Sequence, residues 1–247
     1  VLANEYKGHT DMVRTISTEK NGQYLVSGSD DGNVKIWEIN TGRCLKTIQT
    51  DGIVRSVEWC PNSNLSLILA ASDRQVLLIN PHLGDTLICK KTDSVLEEAP
   101  QIDSIVPDRV RTTVEWSNTV EPKLFDKGIR IVLKHFKEVS QVTWHGKGDY
   151  FATVMPDGQN RSVLISQISR RRSQIPFAKS KGLVQRVLFH PTKPFLFVAT
   201  QRHVRIYDLV KQCQIKKLLT NAKWVSTMAI HPGGDNLLVG TYDKKML

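Results

Sequence analysis

A short phrase returns along this chain at a nearly fixed distance. Val13-Arg-Thr-Ile16, Val54-Arg-Ser-Val-Glu-Trp59, Val139-Ser-Gln-Val-Thr-Trp144, Val184-Gln-Arg-Val-Leu-Phe189 and Val225-Ser-Thr-Met-Ala-Ile230 align, with starts 41, 85, 45 and 41 residues apart. Such a period means one supersecondary unit built repeatedly, each copy burying its apolar face against the next. The first unit shows the pattern best. Val13–Ile16, Tyr24–Ser29, Val34–Glu38 and the run from Cys44 alternate apolar with polar residues. Asn21-Gly22, Asp31-Gly32 and Asn40-Thr-Gly42 separate them. Alternating runs divided by turn residues predict a four-stranded antiparallel meander.

Gly8-His9 near the start of the unit and Trp37-Glu38 near its end give this period the signature of a WD repeat. The expected fold is all-β: a WD-repeat β-propeller with about five blades present, the last incomplete, out of an expected seven. His9, Ser27 (or Ser29), Asp31 and Trp37 match the hydrogen-bonded tetrad of such blades. A Ser/His/Asp trio also suggests nucleophilic catalysis, but Trp37 and the meander spacing favour a structural role. Later units decay. His135 stands before Val139 as His9 does before Val13, while Ser166 replaces the tryptophan and Tyr207-Asp208 replaces Trp37-Glu38. Cys60-Pro61, His145-Gly146, His190-Pro191 and His231-Pro232 hold one position, one per unit. They are read as strand-end turn residues rather than metal ligands.

The 85-residue interval is twice the period. Val110-Arg-Thr-Thr-Val-Glu-Trp116 echoes a first strand, so a degenerate blade is one reading. An insertion of about forty residues after Lys91 is the favoured one, because no second and third strands follow Trp116 before Ile129 and long loops of this kind are functional or disordered. Residues 92–127 carry Pro100, Pro107 and Pro122, with eight acids against four bases. The expected organisation is blades one and two over 1–91, an acidic insertion loop over 92–130, and blades three to five over 131–247. The fifth unit stops at Asp243-Lys-Lys-Met-Leu247, where its third strand begins. Because propellers remove their edge strands by closure, the chain, which starts at Val1, is expected to be a fragment.

Composition narrows the function classes. The longest apolar run, Leu67–Ala71, has strand length, far short of a membrane-spanning helix. The four cysteines are scattered, which argues against a zinc cluster or a disulfide framework. No nucleophile elbow, phosphate loop or metal-ligand spacing is present, so no enzyme, cofactor or metal is expected. The charge is asymmetric: residues 1–130 carry 15 basic and 18 acidic side chains, residues 131–247 carry 19 and 6. A polyanionic partner for the second half, most simply nucleic acid, and a merely basic solvated surface both fit.

Several less generic phrases carry a resemblance. Trp144-His-Gly-Lys-Gly-Asp-Tyr150, Ser169-Arg-Arg-Arg-Ser-Gln-Ile-Pro-Phe177, Ser180-Lys-Gly182, Phe189-His-Pro-Thr-Lys-Pro-Phe195, Gln201-Arg-His-Val-Arg-Ile-Tyr-Asp208, Lys216-Lys-Leu-Leu219 and His231-Pro-Gly-Gly-Asp-Asn236 together resemble the C-terminal propeller of the eukaryotic block-of-proliferation family of ribosome biogenesis proteins. The resemblance spans nearly the whole chain, strongest over 139–247 and weakest over 92–130. It implies a noncatalytic assembly factor of the large ribosomal subunit that supports precursor rRNA processing, in the nucleolus and nucleoplasm. It also implies the PeBoW complex, with a second WD-repeat propeller protein and with Pescadillo, the latter bound through an N-terminal region absent from this chain.

Candidate contact residues follow. Arg170, Arg171 and Arg172 form the densest basic cluster, and strand order predicts Lys147, Lys193 and Lys211 on the same propeller face. Lys179, Lys181, Arg202, Lys244 and Lys245 are expected on the opposite face. Arg grips phosphate through a planar fork and Lys as a point charge. With no aromatic platform beside it, the cluster suits an RNA backbone rather than base reading. A solvated loop or a nuclear import signal is the plain alternative. Arg43, at the start of the outer strand of blade one, is the candidate for the partner-propeller surface, since arginine often anchors interfaces. A substrate receptor of a cullin-type ubiquitin ligase is the alternative function. It is disfavoured because Trp37-Glu38 and Tyr207-Asp208 lack an arginine two residues on.

Overall fold

The computed structural model describes residues 3–98, 106–179 and 182–247. Pro100 and Lys181 lie outside the described residues. The recurring phrase does form the first strand of each sheet, and the sheets are antiparallel meanders as in propeller blades. Blade one orders β1 (Val13–Thr18), β2 (Tyr24–Ser29), β3 (Asn33–Glu38) and β4 (Cys44–Gln49) side by side. Blade two begins with β5 (Val54–Trp59), β6 (Ile68–Ser72) and β7 (Gln75–Ile79). Then come α1 (Thr86–Glu97), α2 (Asp108–Arg111), β8 (Val114–Asn118), α3 (Pro122–Asp126) and β9 (Ile129–His135). Blade three is β10 (Gln141–Trp144), β11 (Tyr150–Val154), β12 (Val163–Gln167) and β13 (Arg172–Gln174). Blade four is β14 (Val184–Phe189), β15 (Phe195–Thr200), β16 (His203–Asp208) and β17 (Cys213–Leu219). The fifth unit has two strands, β18 (Val225–Ile230) and β19 (Leu237–Thr241).

The middle strands explain the packing. Every residue of β6 is buried, because blades stack face to face and cover both sides of the sheet. Edge strand β17, by contrast, is exposed along almost all its length. Gly28 shows how closely blades approach. A Cβ there would stand 2.4 Å from Cγ1 of Val54, so only glycine admits blade two at that point.

First strands are also stitched to one another by side chains. The Thr15 and Ser17 hydroxyls of β1 accept the backbone N–H groups of Val57 (3.0 Å) and Trp59 (2.9 Å) on β5. Ser56 accepts that of Val142 at 3.1 Å. Gln141 accepts the Val187 N–H at 2.8 Å and donates to the Val187 carbonyl at 2.9 Å. These bonds use first-strand backbone groups that face a neighbouring blade rather than a neighbouring strand, where a buried N–H would otherwise be orphaned.

The segment expected as an acidic loop over 92–130 is built differently. It separates the third and fourth strands of blade two, whose sheet order is β5-β6-β7-β9-β8. Residues 129–135 therefore belong to blade two, and the inserted stretch starts before Lys91. Thr86–Glu97 becomes a helix because Asp85 caps it, accepting the Leu87 N–H at 2.8 Å, and because Cys89, Thr92 and Leu96 share a buried face. Ile129-Arg-Ile-Val-Leu-Lys-His135, richer in β-branched residues, takes the outer position beside β7. The echo at Val110–Trp116 is not the start of another blade. Its second half is β8, a fifth strand on the edge of blade two.

Candidate functional site

Blade one brings its tetrad together. Trp37 Nε1 donates to the Ser27 hydroxyl at 2.8 Å, and Ser27 lies 2.7 Å from His9 Nε2. His9 Nδ1 stands 2.8 Å from Asp31. Since the carboxylate only accepts, Nδ1 carries the proton and Nε2 accepts from Ser27. Burial works to raise the Asp31 pKa, but His9 and the N–H groups of Thr10 and Asn33 outweigh it and hold the carboxyl at about 2. Ser29 is used elsewhere, donating to the Asp11 carbonyl. With every polar atom of the chain engaged and Trp37 1% exposed, the Ser27 hydroxyl is a structural link rather than an accessible nucleophile.

Blade three shows what replaces the tetrad when the tryptophan is missing. His135 and Thr153, the counterparts of His9 and Ser27, remain joined at 3.3 Å. Burial keeps the His135 imidazole neutral, with its pKa down at about 4. Ser166 stands where Trp37 does in blade one and bonds Ser173 at 2.8 Å. The indole comes from outside the blade: Trp116 of β8 donates to Ser173 at 2.9 Å and packs against Phe151. Further bonds fasten the insertion to blade three. Arg171 donates to Asn118 at 2.7 Å and to the Leu96 carbonyl. Arg109 donates to the carbonyls of Asn160 (2.9 Å) and Ala178 (3.1 Å).

A second anchor lies under blade two. Arg130, 7% exposed, donates to Asp93 at 2.8 Å and to the Phe125 carbonyl at 2.6 Å, over the Phe125 ring. Asn80 donates to the same carboxylate at 2.8 Å. Burial would raise the Asp93 pKa; the Arg130 and Asn80 hydrogen bonds overcome it, and the carboxyl stays below its ordinary value. A single arginine inside the apolar run Ile129–Leu133 was the sequence signal for this pairing, since buried charges demand partners.

The basic residues sort by blade end. Connections between first and second strands, and between third and fourth, lie at one end of each meander, called here the turn end. Lys147, Arg170, Arg171, Lys193 and Lys211 fall in such turns, with Arg172 opening β13. Lys147, Arg170, Arg172, Lys193 and Lys211 are exposed. Asp149 orders the arginine turn, accepting the Ser169 N–H at 2.9 Å and its hydroxyl at 2.8 Å. Arg170 and Arg172 flank a hollow of about 160 Å³ that also holds Tyr150 and Gln167. Arg171 is not part of this set. Its chain turns back at φ 44° and its half-buried guanidinium is held against the insertion by Asn118 and the Leu96 carbonyl, whereas Arg170 and Arg172 stand exposed. Lys179, Arg202, Lys244 and Lys245 belong to the opposite, loop end.

Arg43 sits in the turn before β4, its side chain 71% exposed and 3.9 Å from Glu38. The turn histidines cap backbone. His190 Nδ1 accepts the N–H groups of Thr192 (3.1 Å) and Lys193 (3.0 Å), and His231 Nδ1 that of Gly233 (3.1 Å). Among the described residues no group of three His, Cys, Asp or Glu is placed to hold a metal, and no helix is long and apolar enough to cross a membrane.

Comparison with known proteins agrees with the repeat. The family model for the WD domain, G-beta repeat, matches residues 1–38 and 42–80. The chain is 64% identical over 242 residues, 98% of its length, to the ribosome biogenesis protein BOP1 homologs of Drosophila mojavensis and Drosophila melanogaster. It spans 30% and 31% of the length of those two proteins.

Proposed function

This WD40-repeat chain is a relative of the ribosome biogenesis BOP1 homologs, and from that premise we propose that it is a noncatalytic scaffold in large ribosomal subunit assembly and precursor rRNA processing. The supporting observation is the turn end of blades three and four. There Lys147, Arg170, Arg172, Lys193 and Lys211 stand exposed in four successive turns, none ion-paired among the described residues. Exposed cations of this kind, set on rigid meanders, suit contact with the phosphate backbone of an RNA strand rather than with its bases. The work of such a scaffold is to hold RNA and protein in one geometry.

The partners in this proposal are precursor rRNA of the large subunit, a second WD-repeat propeller protein and Pescadillo, joined as the PeBoW complex in the nucleolus and nucleoplasm. No residue of these blades is assigned to Pescadillo. Arg43 is assigned to the surface that meets the second propeller.

An anisotropy titration of a precursor-rRNA fragment across several salt concentrations tests the RNA contact. Arg170→Gln with Arg172→Gln lowers affinity for all RNA sequences alike and flattens the salt dependence by one to two contacts. Unchanged affinity and slope would falsify the assignment of this turn to RNA.

A further inference from the structure

A polar cleft of about 560 Å³ opens at the loop end of blade three, where the insertion docks. Arg109 of α2, Lys137 after β9, Arg161 of the short 3-10 helix Pro156–Arg161 and Lys179 after β13 line it. Asp157 is the single acidic residue of the lining among the described residues. None of the four cations is ion-paired among the described residues. They come from four separated stretches of chain, so no run in the sequence announces the cluster.

The two arginines are held in place by bonds that leave donors over. Arg109 spends Nη2 on the carbonyls of Asn160 and Ala178. Arg161 spends Nη1 on the hydroxyls of Thr112 and Thr113, 3.3 Å each, and its guanidinium lies 4.0 Å over the Phe136 ring. A guanidinium has five N–H groups, so each keeps further donors beyond these bonds. Lys137 and Lys179, both exposed, add mobile charges at the rim. Preoriented forks with flexible ammonium groups beside them match a phosphate in geometry and charge.

The geometry points to a second phosphate-binding site, a cleft at the loop end of blade three that takes the backbone of an RNA strand. The Phe136 face is already covered by Arg161, so the cleft offers no open ring for base stacking and its selectivity is for charge. This inference rests on the reading that the chain meets RNA. It places a contact on the end opposite Arg170 and Arg172, so that a strand is gripped at both rims of blade three.

The test uses the 247-residue chain, a fluorescein-labelled twelve-nucleotide uridine RNA and a labelled glutamate peptide of the same length. Lys137→Gln with Lys179→Gln removes two cations that make no bond to the described residues. The expected result is an RNA affinity about threefold to tenfold weaker near 0.1 M salt, with the log–log salt slope smaller by about 1.4. Arg170→Gln with Arg172→Gln is measured in parallel. Losses from both pairs support both sites. Loss from the arginine pair alone overturns the cleft and leaves the turn-end reading standing; loss from the lysine pair alone does the reverse. A parent chain that ignores RNA even at low salt, or binds only the glutamate peptide, overturns the cleft as an RNA site. Should the lysine pair lower the melting temperature, Lys179→Gln alone is titrated, and an unchanged affinity and slope with it overturns the proposal equally.

Discussion

Glu58 and Trp144 clasp each other across the seam between blades two and three. The Glu58 carboxylate accepts the backbone N–H of Trp144 at 2.9 Å, and the Trp144 indole donates to the Glu58 carbonyl at 3.0 Å. Burial pushes the Glu58 pKa up to about 7, although the Trp144 N–H and the Thr143 hydroxyl both favour the charged form. An acid whose folded-state pKa exceeds its unfolded value holds more protons when folded. Its contribution is therefore full below its ordinary pKa of 4.5 and is lost as pH rises through about 7.

Glu58→Gln keeps an oxygen for the Trp144 N–H and removes the charge. The variant should lose the decline in stability between pH 4.5 and 7 and be more stable than the parent at pH 8, by up to about 3 kcal/mol. Urea midpoints across this pH range check it; parallel curves for the two proteins refute it.

Trp37→Ala should destabilise the chain by about 3–5 kcal/mol, through lost core area and an orphaned Ser27–His9 link. Trp37→Phe, which keeps most of the area, should cost less, about 1–2 kcal/mol. Equal denaturant midpoints for the parent and the alanine variant contradict this.

Trp116→Ala should loosen the insertion from blade three while leaving blade one intact. Stability should fall by about 2–4 kcal/mol, and limited proteolysis within residues 98–130 should accelerate. A variant cut no faster than the parent shows that β8 holds without its indole.

Arg171 and its neighbours should separate cleanly. Arg171→Ala should lower the melting temperature, since it frees Asn118 and the Leu96 carbonyl, with little effect on RNA. Arg170→Gln with Arg172→Gln should do the opposite. Calorimetry beside RNA titration reads both, and any reversal assigns the residues the other way.

Arg43→Glu should weaken co-purification with the second WD-repeat propeller while leaving the melting temperature unchanged, because the side chain is mostly solvent-exposed. Wild-type recovery of that partner removes Arg43 from the interface.

Local pattern was enough for the blades. Alternation with period two, broken by turn residues at a 40-residue interval, specifies a meander whatever its surroundings. His9, Asp31 and Trp37 were legible because a tetrad keeps fixed spacing inside one unit, and only the choice between Ser27 and Ser29 was decided by the fold. The outer strand of blade two was not legible. Placing blades one and two within 1–91 leaves that strand unassigned: Ile129–His135 takes it by packing against β7, and the stretch after Asp85 is drawn into a helix by its cap. Nor did sequence reveal that Arg171 is bonded to the insertion while Arg170 and Arg172 stand exposed. The bonds that matter join residues 53 and 57 positions apart, Arg171 to Asn118 and Trp116 to Ser173. Periodicity encodes which face of a strand is buried; it carries no information about which distant side chain completes that face. That pairing exists only once the chain has folded and the insertion lies along blade three.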